Sequence, residues 1–130
     1  MKKQKTCTLL QTTTIMISFL LILTIPEKSI AGVKGHFSSS SGTKSEIVLN
    51  IGNPAPNSII VEQRSSAKAV QTNPGAQKIR GGDITWLLRN PNPGQLHLTS
   101  QFKNPLKSKP AATVKYKDRK SGQFIVQPIN

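Results

Sequence analysis

Asn-Pro pairs at four places, beginning at Asn53, Asn73, Asn90 (doubled, as Asn90-Pro91-Asn92-Pro93) and Asn104, punctuate the chain, and the runs between them alternate apolar and polar residues. Proline lacks a backbone N–H and pushes the residue before it into an extended conformation, so each pair interrupts regular structure. Alternation with a period of two belongs to a strand with one face buried. Together the two features select short strands joined by tight turns. Glu46–Ile51 places Ile47, Leu49 and Ile51 on one side, and Ser58–Gln63 follows with β-branched residues. A weaker region then runs past Asn73-Pro74-Gly75 with only Val70 and Ile79 as large aliphatics, and reads as loop with one or two short strands. Gly81-Gly82 marks a turn into Asp83–Arg89, where Ile84, Trp86 and Leu88 share a face. In the next run Leu96, Leu98, Ser100 and Phe102 alternate with Gln95, His97, Thr99 and Gln101. The last pair is Thr113–Lys117 and Gln123–Ile129, with Val114 and Tyr116 facing inward and Lys115 and Lys117 outward. No window combines a helical period with a capping signal. The expected fold is all-β, an antiparallel β-sandwich of six or seven short strands. Its expected core is Ile47, Leu49, Ile84, Trp86, Leu88, Leu96, Leu98, Phe102, Val114 and Tyr116.

The N-terminal end follows other rules. Lys2, Lys3 and Lys5 precede the eleven-residue apolar run Ile15–Ile25, then Pro26, then Ser29 and Ala31 at the −3 and −1 positions of a cut. These parts in this order form a secretory signal peptide, expected over residues 1–31, whereas a membrane-spanning helix needs about 20 apolar residues. Cys7, the single cysteine, precedes the apolar run and would leave with the signal, so the exported chain is expected to have no disulfide. Gly32–Ser45 is rich in glycine and serine and reads as a flexible leader or a loosely held first strand, which places the sandwich domain at 46–130. The expected location is outside the cytoplasm: periplasmic, cell-surface or extracellular.

The stretch from Ser58 to Phe102 resembles the immunoglobulin-like repeat of unknown function found on bacterial and archaeal surface proteins. Gly82, Trp86, Leu88, Pro93, Gly94, Leu96 and Leu98 carry the likeness: a glycine turn, a strand with an alternating tryptophan, a loop ending in Pro-Gly, and another alternating strand. The resemblance implies an immunoglobulin-like sandwich and a place among surface proteins. It implies no chemistry, because its motif consists of turns and core. Such repeats usually occur in tandem, and this chain contains no internal repeat.

Beyond residue 31 the proton carriers are His36, His97, Glu46, Glu62, Asp83 and Asp118, scattered and without a triad spacing. The serine run Ser38–Ser41 is not an elbow that presents one nucleophile. Neither zinc nor calcium ligand spacing is present, and Gly81-Gly82 and Gly94 do not open a phosphate-cradling helix. The expectations are no catalytic residue, no cofactor, no metal and no small-molecule substrate.

Charge is the remaining signal. The chain carries 18 Lys and Arg against 5 Asp and Glu, a net charge of +13. Lys103, Lys107, Lys109, Lys115, Lys117, Arg119 and Lys120 fall within eighteen residues, with Asp118 the one anion among them. They read either as a ridge that meets acidic polysaccharide, an anionic membrane surface or nucleic acid, or as lysines that keep an edge strand soluble. The functional expectation is a non-enzymatic surface or periplasmic module whose partner is another envelope protein or surface assembly, with a polyanion binder as the alternative.

Overall fold

A computed structural model describes residues 32–130, and the signal peptide expected over 1–31 lies outside them. The strands are β1 (Val33–Ser41), β2 (Lys44–Ile51), β3 (Ser58–Arg64), β4 (Ala69–Asn73), β5 (Lys78–Arg80), β6 (Asp83–Arg89), β7 (Gly94–Phe102), β8 (Ala111–Lys117) and β9 (Phe124–Ile129). No helix occurs among the described residues. Two antiparallel sheets form, one in the order β1-β2-β7-β4 and the other in the order β5-β6-β3-β8-β9. The chain passes back and forth between them, so the four-stranded sheet is complete only with β7 and the five-stranded sheet only with β9.

The inward residues of both sheets meet in one apolar cluster. Ile47, Leu49, Ile59, Val61, Ile84, Trp86, Leu98, Phe102 and Val114 are all nearly or completely removed from solvent. Burial of each of the larger side chains is worth about 1.5–3 kcal/mol relative to exposure. The expected core residues all face this cluster, with Leu88 and Leu96 only partly buried at its margin. Three polar residues join them. Ser45 and Ser100 lie 2.6 Å apart by their hydroxyl oxygens, and Gln63 Nε2 donates to Ser45 Oγ at 2.9 Å and to Ser65 Oγ at 3.2 Å. This small network ties β2 and β7 of one sheet to β3 of the other. Gln63 Oε1 has no partner within it.

Two expectations need correction. The described residues form nine strands rather than six or seven, because β1 is a strand and both β4 and β5 form. Residues 32–45 are consequently not a flexible leader: β1 pairs with β2 from Val33↔Ile51 to Ser41↔Lys44, with an irregularity between Phe37 and Ser39. The glycine that suggests flexibility is there for packing. A Cβ on Gly35 would stand 2.9 Å from Leu49 Cδ2 and 3.0 Å from Ile129 Cγ1, so a side chain here would force those core residues to shift for β1 to stay closed over them. Gly82 has a similar role, since a Cβ there would run into the carbonyl groups of Ser65 and Ala67.

Candidate functional site

The outer face of the five-stranded sheet can be read from its register. Leu87, Ile60, Lys115 and Val126 stand in one row across β6, β3, β8 and β9, and beside it Arg89 pairs with Ser58 and Lys117 with Phe124. Ile60 and Leu87 are half-buried, whereas Phe124 and Val126 are 71% and 59% exposed. Both exceed the exposure of Val70 and Ile79, the other large apolar side chains left in solvent. A shallow cleft of about 550 Å³ lies on this face, lined among others by Ile60, Lys115, Lys117, Arg119 and Phe124.

The seven cations do not form one ridge. Lys103 and Lys107 belong to the β7–β8 connection, where their backbone N–H groups donate to Lys68 O and Ser66 Oγ, each at 2.9 Å. Lys109 Nζ sits 5.9 Å from the centre of the Phe37 ring, over β1. Lys117, Arg119 and Lys120 lie at the opposite end of β8, a strand on the order of 20 Å long at ~3.3 Å per residue. Lys115 lies between the groups, half-buried, with its Nζ 3.3 Å from Glu62 Oε1. Lys107 and Lys109 therefore do not join Lys117, Arg119 and Lys120 in the single ridge expected from the sequence. Sequence distance suggested one patch, but a strand separates its two halves.

At the turn, the Asp118 carboxylate accepts from the hydroxyl and the backbone N–H of Ser121 at 2.8 and 3.2 Å. The Ser121 hydrogen bond lowers its pKa, with further backbone contributions from Ser121 and Lys120. Its charge is used to shape the turn. Arg119 Nη1 reaches Ala55 O at 3.4 Å, which ties the turn to the β2–β3 connection.

The opposite face of the molecule carries Ser38, Glu46 and His97 on β1, β2 and β7. Ser38 Oγ donates to Glu46 Oε1 at 2.7 Å, and His97 Nδ1 lies 3.2 Å from the same oxygen. The Ser38 hydrogen bond, followed by that of His97, lowers the Glu46 pKa. Acyl-transfer chemistry needs the imidazole between hydroxyl and carboxylate, so that it can take the hydroxyl proton. Here the carboxylate is in the middle, and the serine and histidine both serve it. No group of three or more potential metal ligands occurs among the described residues.

Sequence reasoning placed Lys115 and Lys117 on this outer face but missed Phe124 and Val126. A signal was present: β9 contains no charged residue, and its pairing with β8 at Tyr116↔Ile125 leaves Phe124 and Val126 to face outward. Comparison with family models, curated proteins and solved structures gives no match.

Proposed function

We propose that the protein is an exported, non-enzymatic interaction module that works in the periplasm or at the cell surface on an immunoglobulin-like sandwich. The strand order supports the immunoglobulin-like reading. Constant-type immunoglobulin domains place strands A, B, E and D in one sheet and C, F and G in the other. The order β1-β2-β7-β4 follows the first set and β3-β8-β9 the second, with the β5–β6 hairpin added beside β3. The signal peptide in the sequence supports export.

The observation that carries the interaction reading is the outer face of the five-stranded sheet. Its most exposed apolar side chains, Phe124 and Val126, stand beside Lys117 and Lys115 on a frame held by a continuous core. Apolar side chains in solvent beside a charged rim are the composition of a contact surface. Affinity capture from the cell envelope, washed at low and at high salt, tests this function. The expected result is a discrete protein retained through both washes. Recovery of acidic polymers alone, released by the high-salt wash, would contradict it.

A polyanion-binding reading is favoured by one feature, the cluster of Lys117, Arg119 and Lys120 around a turn whose carboxylate is engaged by Ser121. Binding of that kind weakens steeply with salt.

A further inference from the structure

Strand β9 is an edge of the five-stranded sheet, and its hydrogen-bonding polarity follows from two backbone contacts. Asp118 N–H donates to Gln123 O at 2.9 Å, which turns Gln123 toward β8. Backbone polar groups alternate sides along a strand, so Ile125, Gln127 and Ile129 also point toward β8, while Phe124, Val126 and Pro128 point away from the sheet. At the end of the same series, Asn130 O accepts from Phe37 N–H of β1 at 2.7 Å, as this alternation requires. Strand β1 closes the edge only there. The outward N–H and C=O groups of Phe124 and Val126 have no hydrogen-bond partner among the described residues. The same two residues carry the most exposed large apolar side chains.

The other edges are blunted. β5 is three residues long with Lys78 and Arg80 at its ends, β4 is five residues long with an irregular register between Ala69 and Gln71, and β1 is interrupted by an irregular register between Phe37 and Ser39. Short length, charge and irregularity all protect an edge against pairing. β9 has none of the three, and its one interruption, Pro128, lies beyond the residues concerned.

We infer that the β9 edge at Phe124–Val126 accepts an added strand from a partner protein: an extended segment with alternating apolar residues, acidic where it passes the β8–β9 turn. Main-chain hydrogen bonds supply the attachment and the flanking side chains supply the choice of partner. Charge selects the acidic partner. Lys120 lies in the turn that leads into this edge and Lys117 is paired with Phe124, while Asp118 is engaged by Ser121. A second copy, with 14 Lys and Arg against 4 Asp and Glu beyond residue 31, would bring a like-charged chain to the same place. This inference rests on the interaction reading above and names the place and chemistry of the contact.

Backbone amide exchange on the purified protein tests it, with a short synthetic peptide alternating valine and glutamate as the probe. Exchange at Phe124 and Val126 should slow by about tenfold or more when the peptide is in excess, as entry into a ladder requires. A peptide alternating valine and lysine should leave both amides unchanged. The variant Val126→Glu, at an exposed position, should keep the melting temperature and lose the effect. Slowing at other amides, or none, would overturn the inference. So would slowing without peptide as protein concentration rises, which points to a second copy, or slowing with anionic phospholipid vesicles in its place. Envelope capture separates the two claims: if Val126→Glu retains the same protein as the unaltered chain, the β9 edge is excluded and the interaction module stands.

Discussion

Trp86 shows how much a single side chain decides in this molecule. It is completely buried, and its Nε1–H donates to Pro74 O at 3.0 Å, so one residue both fills the core and fixes the Asn73-Pro74 turn. Trp86→Ala should destabilise by about 3–5 kcal/mol, enough to unfold much of a small domain, whereas Trp86→Phe should lose less and free the turn. Denaturant melts of both variants check the order; an alanine variant as stable as the parent would remove Trp86 from the core. Gln63 provides a different test. Its amide nitrogen is satisfied by Ser45 and Ser65 while Oε1 has no partner, and an unpaired buried acceptor costs about 1–3 kcal/mol. Gln63→Ala alone should destabilise, because it leaves a cavity and deprives Ser45 of its donor. Gln63→Leu made together with Ser45→Ala and Ser100→Ala removes the polar groups as a set and should restore most of that loss. Equal melting temperatures for the single and triple variants would show that the network does not act as a unit.

Among the strands, β1 best separates what was legible from what was not. The alternation of Ile84, Trp86 and Leu88, and of Leu96, Leu98 and Phe102, marks β6 and β7 directly, because large side chains of two kinds occupy two faces. In β1 the inward set is Val33, Gly35 and Phe37, and the middle member has no side chain to reveal the pattern. The close approach of Leu49 and Ile129 that demands Gly35 is a long-range contact, invisible to any local window. Gly35→Val should therefore lower the melting temperature and speed amide exchange along Val33–Phe37, while Gly42→Asn, in an open turn whose positive φ asparagine tolerates, should lower the melting temperature less and leave exchange along Val33–Phe37 unchanged. An unchanged Gly35→Val protein would mean that β1 is not closed over the core. The candidate surface was half legible for a related reason. The sequence of β8 shows which way Lys115 and Lys117 face, but the outward turn of Phe124 and Val126 follows only from their register against Tyr116 and Lys117.

Over the whole molecule, the separation of the cations into two groups determines how polyanions would respond. Lys103, Lys107 and Lys109 lie at one end of β8 and Lys117, Arg119 and Lys120 at the other, too far apart for one short oligomer to meet both closely. Changing either trio to glutamine should reduce retention on heparin in part, with the two reductions adding as expected for independent sites. On duplex DNA the salt slope should fall by roughly 0.9 for each phosphate contact removed. Loss of all retention from one trio alone would show a single site. The outer face of the five-stranded sheet, by contrast, should act as one contact surface, and position-specific photocross-linking in the cell envelope tests this most directly. A photoreactive residue is placed at position 124, and in a second protein at position 97 on the opposite face. The result expected is a discrete cross-linked species from position 124 and none from position 97. Products from position 97 alone, or equally from both, would contradict the assignment of this face as the one that meets the partner.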